Sequence, residues 1–230
     1  MIYEPEEDSF LLQKFVKKHL KISKKKFSVS QKSRSDFSGY AKCLVLDMGT
    51  GSGIQAKTAS FDADLVIGLD INKDVIKYCE KNSKGDNIHF LKSNLFQIFE
   101  DNFFYYDKVE NKLEIYEKRR VEDREKRKEL VNKQIKFDLM IFNPPYLPQE
   151  LKEKDIRLEG GKKGYEVLNK FLDKAPIYLK KDGKILIVFS SLTDKKKIDG
   201  IIAKNNLKFV ELEKKHIFFE DLYVYYIARA

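Results

Sequence analysis

The feature that most constrains this 230-residue chain is a repeated alternation of short apolar runs with stretches of helical composition. Five apolar runs of strand length lie at residues 43–48, 65–70, 88–91, 137–142 and 184–189. Such runs, without alternating polar residues, indicate strands buried on both faces, as in a parallel sheet covered by helices. Helices are predicted at residues 53–60, 73–82, 165–178 and 194–205.

The end of the chain predicts two further strands, at residues 208–213 and 223–228, in which apolar and polar residues alternate. This alternation is typical of antiparallel strands with one solvated face, and a closing hairpin makes a parallel sheet mixed. We therefore predict an α/β fold with a seven-stranded, mostly parallel sheet and helices on both faces. The fold is expected to form a single domain over residues 1–230.

Three segments lie outside this alternation. Residues 6–20 predict a helix with a stripe of apolar side chains, whereas residues 22–40 are polar and predict a loop. An insertion at residues 97–136 has an aromatic first half and a second half with the mixed charge of a helix. Two interpretations of the insertion stay open: a solvated decorative helix, or an element whose exposed aromatic residues dock a partner or substrate.

Composition and charge indicate where the protein is located in the cell and which partners it binds. The chain has no run of about 18 apolar residues, and its first ten residues are acidic where a signal peptide is basic and then apolar, so a cytoplasmic protein is expected. The net charge of +9 favours acidic partners such as RNA, but lysine-rich composition also accompanies growth at high temperature. Cys43 and Cys79 lie in apolar stretches without a CxxC partner, which predicts buried free thiols and no metal site.

A glycine turn at residues 47–53, Asp-Met-Gly-Thr-Gly-Ser-Gly, follows the first predicted strand. Glycines at such a place let a ligand approach the backbone at a helix N-terminus. The third glycine comes one residue too early for the dinucleotide motif G-x-G-x-x-G. Asp47 would repel a pyrophosphate and attract the ammonium group of an amino acid. The expected ligand therefore carries an amino-acid moiety without phosphate, and S-adenosylmethionine fits this description.

Asp70 ends the second predicted strand, 17 residues after Gly53. Ribose-binding acids of nucleotide sites stand at a similar offset of ~20 residues. A carboxylate at this place can accept hydrogen bonds from both ribose hydroxyls. Asn72 offers an N-cap for the next helix, so Asp70 is expected to be free for a ligand.

The segment Asn143-Pro144-Pro145-Tyr146 directly follows the fourth predicted strand. Ligands of an open α/β sheet bind beyond the carboxyl ends of its strands, which places this segment beside the glycine turn. The two prolines restrict the backbone. The Asn143 side-chain oxygen and the Pro144 carbonyl can accept both hydrogens of an NH₂ group, and Tyr146 can stack on its planar framework. This arrangement predicts methyl transfer to an amide or aryl amine nitrogen.

Together these motifs resemble class I methyltransferases of the HemK/PrmC type, the N5-glutamine methyltransferases that act on the GGQ loop of peptide-chain release factors. Residues 3–12, Tyr-Glu-Pro-Glu-Glu-Asp-Ser-Phe-Leu-Leu, resemble the opening of the archaeal and eukaryotic branch. Residues 159–164 resemble the glycine-rich stretch that follows the Asn-Pro-Pro-Tyr motif in that branch. The resemblance covers nearly the whole chain except 22–40 and 97–136, and it implies a Rossmann-like fold.

The resemblance also implies roles for individual residues. The implied S-adenosylmethionine site comprises Tyr3, Ser9, Asp47, Gly49, Thr50, Gly51, Gly53, Asp70, Ile71, Asn94, Leu95 and Asn143. The implied catalytic set comprises Asn143, Pro144, Pro145 and Tyr146. Asn94 departs from the family, which usually has Asp beside the adenine, although Asn can still accept from the adenine amino group. Related members work with a small zinc-binding activator subunit, so the resemblance implies such a partner in addition to a release factor as substrate.

Two other functions stay open. A nucleic-acid adenine-N6 methyltransferase would also bind an NH₂ group with this segment, and the acid-free basic run between Ser9 and Ser35 supports that function. A DNA enzyme usually needs a target-recognition element and a base-flipping pocket, for which the insertion is the only candidate. A non-catalytic cofactor-binding subunit would not need the intact Asn143 segment.

Overall fold

The computed structural model describes residues 4–31, 43–83, 85–107, 110, 112–146 and 163–230, with the backbone alone at 24–31. The described strands are β1 (Leu44–Met48), β2 (Leu65–Asp70), β3 (Ile88–Lys92), β4 (Asn102–Asp107), β5 (Lys112–Glu117), β6 (Phe137–Phe142), β7 (Leu179–Ser190), β8 (Leu207–Ile217) and β9 (Glu220–Arg229). The described helices are α1 (Glu7–Gln31), α2 (Ile54–Ser60), α3 (Lys73–Asn82), α4 (Gln97–Asp101), α5 (Arg124–Asn132), α6 (Glu166–Tyr178) and α7 (Lys195–Lys204). None of these helices is both long and apolar enough to cross a membrane.

Seven strands form one mixed sheet in the order β3-β2-β1-β6-β7-β9-β8. The first five strands in this order pair in parallel, and β9 pairs antiparallel with both β7 and β8. The C-terminal hairpin therefore adds the antiparallel part of the sheet. The Rossmann-like α/β fold with a seven-stranded mixed sheet is confirmed.

The sheet is buried on both faces because its central strands carry apolar residues at nearly every position. In β1, Leu46 faces a core that α6, α7 and the aromatic side chains of the insertion share. The next side chain, Val45, faces a second core formed with α1, α2 and α3. Cys43 and Cys79 are free and lie in this second core, as predicted.

The register of the parallel strands places their carboxyl ends side by side. Met48 at the end of β1 stands opposite Leu69 in β2 and opposite Phe142 in β6. The residues that follow these three strands therefore share one edge of the sheet. In such folds this edge is where ligands bind.

Helix α1 is longer than predicted. It continues to Gln31, so the loop predicted at 22–40 is wrong for residues 22–31, and residues 32–40 lie outside the described part of the chain. Lysine favours helix, and this stretch contains neither glycine nor proline to end one. The predicted apolar stripe is buried at Leu11, Phe15 and Val16, whereas Phe10 is half exposed.

The aromatic half of the insertion is a β-hairpin that packs into the core. Strands β4 and β5 pair antiparallel, and the side chains of Phe103, Phe104 and Tyr106 are buried. The Phe104 ring meets the Phe99 ring edge to face at 4.6 Å between centroids. The hypothesis of a docking surface made of exposed aromatics is therefore wrong for these residues. Helix α5 buries only Leu130, which fits a solvated helix.

We expect Phe104→Ala to lower the free energy of unfolding by about 3–5 kcal/mol, because it removes a fully buried ring and leaves a cavity. Tyr105→Ala, which removes the neighbouring half-buried ring, is the matched control and should cost about 1 kcal/mol. Urea unfolding of both variants checks this. Small and equal losses would contradict the placement of the hairpin in the core.

Candidate active site

A cavity of about 560 Å³ opens at the edge where the parallel strands end. Most of the predicted site residues line it, namely Ser9, Asp47, Gly49, Thr50, Gly51, Asp70, Ile71, Asn94, Leu95, Asn143, Pro144, Pro145 and Tyr146. Tyr3 lies outside the described residues. Asp8 and Gln55 also line the cavity, although the sequence did not predict them as site residues.

Two of the three glycines in the glycine turn have distinct structural roles. All three have a positive φ, between 54° and 78°, which favours glycine at each position. A Cβ at Gly51 would come no closer than 3.8 Å to another atom, so the backbone there is open to a ligand. A Cβ at Gly53 would lie 3.1 Å from the Cys79 sulfur. Gly53 therefore packs against α3 and does not line the cavity.

Asp47 ties the glycine turn to the start of α2. Its buried carboxylate accepts hydrogen bonds from the Thr50 hydroxyl at 2.7 Å and from the Ala56 amide at 3.0 Å. Burial raises the pKa of Asp47 to about 7, although the two hydrogen bonds oppose this rise and the charge of Asp70 adds to it. A cationic group placed beside this carboxylate would favour its ionised form.

The Asp70 carboxylate accepts hydrogen bonds from the protein that were not predicted. Asn72 does cap α3, since its side chain accepts from the Asp74 amide at 2.9 Å. Asp70 is nevertheless not free, because its two oxygens accept from the backbone amides of Asn72 at 2.9 Å and Gly51 at 3.1 Å. Burial raises the pKa of Asp70. Each carboxylate oxygen can accept more than one hydrogen bond, so capacity for a ligand hydroxyl remains.

The turn after β3 forms another wall of the cavity. The Ser93 hydroxyl donates to the Leu95 carbonyl and accepts from the Ile98 amide, which holds the turn in place. Leu95 has a left-handed backbone with a φ of 49°. Asn94 is exposed on the cavity wall. Ile71, which directly follows the neighbouring strand β2, also lines the cavity and is exposed. The pair Ile71 and Leu95 offers apolar surface suited to a flat ring.

The two ends of the Asn143 side chain differ in their hydrogen bonds. Its NH₂ group donates to the Asp8 carboxylate at 3.1 Å and to the Ser9 hydroxyl at 3.3 Å. Its carbonyl oxygen is buried and has no hydrogen-bond partner among the described residues. The Tyr146 hydroxyl also donates to Asp8, at 3.0 Å. Asn143 lines the cavity, and its side chain is fixed there through its NH₂ group.

Sequence reasoning missed two of these polar contacts. Asp8 belongs to the N-terminal motif, but nothing in the spacing shows that its partner lies 135 residues away. Gln55 donates through Nε2 to the Ser9 carbonyl at 2.8 Å, and its own carbonyl oxygen is buried without a partner among the described residues. A polar residue on the buried face of α2 was the only signal in the sequence for Gln55.

The chain is similar to known methyltransferases. Residues 46–109 match the family described as methyltransferase domain. The chain is 29% identical to a Methanocaldococcus jannaschii protein provisionally named a protein N5-glutamine methyltransferase, over 97% of this chain and 89% of the relative. It is 24% identical to the release factor glutamine methyltransferase of Haemophilus influenzae over 73% of this chain. The match spans only 52% of that bacterial relative, about half of its length.

Solved structures confirm the fold. The structure of the E. cuniculi Mtq2–Trm112 complex, responsible for methylation of the eRF1 termination factor, superposes with a TM-score of 0.59 and 17% identity. The match covers 100% of this chain and 99% of that one. A ribosomal protein L11 methylase of Lactobacillus delbrueckii subsp. bulgaricus gives a TM-score of 0.56 at 17% identity, over 100% of this chain and 81% of that one. The resemblance found in the sequence is borne out by the named relatives, and these two structures add the shared fold.

The raised pKa of Asp47 predicts how the affinity for S-adenosylmethionine changes with pH. Below a pKa of about 7 the carboxyl is protonated and loses its attraction for an ammonium group, so the affinity for S-adenosylmethionine should fall as pH decreases from about 7.5 to about 6. Asp47→Asn should bind more weakly at the higher pH and show a flatter pH dependence. The variant still carries the titration of the ligand amine, so the difference between the two proteins isolates Asp47. Calorimetric titration at both pH values checks this, and parallel pH dependences would contradict it.

Proposed function

We propose that this chain, an S-adenosylmethionine-dependent methyltransferase, methylates the side-chain amide nitrogen of the glutamine in the GGQ loop of a peptide-chain release factor. The observation that carries the proposal is the side-chain oxygen of Asn143, a residue that lines the cavity: this oxygen is buried and has no partner among the described residues. Leaving such an acceptor unpaired costs about 1–3 kcal/mol. The NH₂ group of a carboxamide would satisfy it.

The residues around the cavity fit the cofactor. Asp47 offers a buried carboxylate for the ammonium group, and the open backbone at Gly51 leaves room for close approach. Asp70 stands at the end of β2 for the ribose hydroxyls, and Ile71 and Leu95 offer apolar surface for the adenine. When bound, S-adenosylmethionine supplies an electrophilic methyl group on a sulfonium sulfur.

Asn143 would act by orienting and polarising the acceptor nitrogen. The lone pair of an amide nitrogen is delocalised, which makes it a poor nucleophile. Hydrogen bonds from the amide N–H groups to the Asn143 side-chain oxygen and the Pro144 carbonyl favour a pyramidal nitrogen that faces the methyl group. In such a transfer the N–C bond would form as the S–C bond breaks, with S-adenosylhomocysteine as the leaving group. The amide proton would pass to water afterwards, when the nitrogen is cationic and acidic, so no base would be required before attack.

The choice of substrate draws on the named relatives. The Haemophilus influenzae relative is named for release factor glutamine methylation, and the E. cuniculi complex for methylation of eRF1. These names support a release factor as the substrate of this chain. The E. cuniculi enzyme was solved together with Trm112, which supports a small activator subunit as partner. The zinc site of that partner follows from the family resemblance alone.

The alternative substrate, a nucleic-acid adenine, loses part of its support. Its target-recognition element was expected in the insertion. The aromatic residues Phe103, Phe104 and Tyr106 of that insertion are buried in the core, so they offer no stacking surface for a base. The basic charge of the chain remains compatible with both substrates.

Asn143→Ala should keep cofactor affinity and lose on the order of 10²–10³ in rate, the scale for one lost preorganised polar contact. Asn169→Ala, which removes an asparagine outside the cavity on α6, is the matched control and should keep the wild-type rate. Rates are measured by mass spectrometry of a purified release factor, with the enzyme tested both alone and together with an activator subunit. One added methyl on the GGQ glutamine is expected.

Adenine-containing RNA and DNA serve as competing substrates in the same assay. A methyl group found on adenine, with the release factor unmodified under both conditions, would overturn the proposed substrate. A wild-type rate for Asn143→Ala would remove Asn143 from the reaction.

A further inference from the structure

We propose that Asp8 is a positioning residue that holds the Asn143 amide with its carbonyl oxygen toward the acceptor nitrogen. This inference rests on the proposed transfer to an amide and adds a residue that acts through Asn143. Asp8 stands in the first turn of α1 and is 5% exposed. One of its carboxylate oxygens accepts from both the Asn143 NH₂ group and the Tyr146 hydroxyl.

The direction of the amide follows from the chemistry of its neighbour. An asparagine side chain can turn over by about 180°, which exchanges its oxygen and nitrogen with little change in shape. An ionised carboxylate only accepts hydrogen bonds. If the Asn143 oxygen faced Asp8, two acceptors would meet in a buried place and the NH₂ group would face the cavity. Asp8 therefore favours the orientation in which the Asn143 oxygen is available to an incoming N–H group.

Two further hydrogen bonds connect the first turn of α1 to this part of the site. The Tyr146 hydroxyl donates to the same Asp8 oxygen as Asn143, so Asp8 holds both ends of the segment 143–146. Gln55 is held in the same manner, because its NH₂ group donates to the Ser9 carbonyl and its oxygen is buried without a partner among the described residues. The first turn of α1 thus binds the NH₂ groups of two amide side chains, both of residues that line the cavity.

The test begins with Asp8→Asn. The introduced amide can donate as well as accept, so Asn143 can adopt either orientation while the volume of the side chain is kept. We expect kcat to fall by about 10–100-fold, the scale found for groups that orient metal-binding side chains and applied here to an oriented amide. The Kd for S-adenosylmethionine should change by less than about threefold, since Asn143 is changed only in its orientation. Glu7→Gln removes the preceding acid, which pairs with Lys215 on the outer surface, and should keep the wild-type kcat.

A reciprocal exchange separates positioning from a structural role. Asn143→Asp alone places two carboxylates against each other and should be poorly active. In the double variant Asp8→Asn/Asn143→Asp, the amide introduced at position 8 can donate to the carboxylate introduced at position 143, which still presents an oxygen to the cavity. We expect the double variant to recover at least about tenfold in kcat over Asn143→Asp. A purely structural role for Asp8 predicts additive losses instead.

An NMR measurement without substrate tests the role of Asp8 independently of the proposed function. The ¹⁵N resonance of the Asn143 side chain reports the hydrogen bonds of its NH₂ group, and it should shift in Asp8→Asn and not in Glu7→Gln. An unshifted resonance, a wild-type kcat in Asp8→Asn, or a double variant no better than Asn143→Asp would each overturn the role of Asp8. If the wild-type enzyme leaves the release factor unmethylated, the proposed function fails, and the NMR result still decides the orientation.

Discussion

The parallel pairing of β1 with β2 and β6 is the constraint on which the site depends. Because Met48, Leu69 and Phe142 lie in register, the glycine turn, Asp70 and Asn143 emerge at one edge of the sheet. The strands can pair in this way because helices and the β4–β5 hairpin cover both faces with apolar side chains. The parallel arrangement of the strands thus both buries the sheet and brings the polar groups together at one edge.

Polar groups at this edge are oriented by contacts within the protein before any ligand arrives. Asp47 holds Thr50 and the start of α2, Asp70 holds the backbone at Gly51, and Asp8 holds Asn143. All of these residues line the cavity. Preorganisation of this kind avoids reorganisation during the reaction, which is how fixed dipoles contribute to catalysis.

The sequence predicted the elements that depend on local pattern. The run Leu65–Asp70 and the helix Lys73–Asn82 have the predicted bounds, since apolar periodicity and the Asn72 cap are local signals. The burial of the insertion could not be predicted, because its aromatic run at 103–106 does not show which surface covers it. The contact of Asp8 with Asn143 joins residues 135 positions apart, and only the fold brings them together. Asp70 was expected to be free because backbone donors leave no trace in the sequence.

The most direct test of the account is a crystal structure of the enzyme with S-adenosylhomocysteine and a peptide that contains the GGQ glutamine. We expect the glutamine amide nitrogen to lie about 2.7–3.2 Å from the Asn143 side-chain oxygen, with the Asn143 NH₂ group still donating to Asp8. A glutamine amide bound elsewhere in the cavity, or an Asn143 side chain turned so that its oxygen faces Asp8, would contradict it.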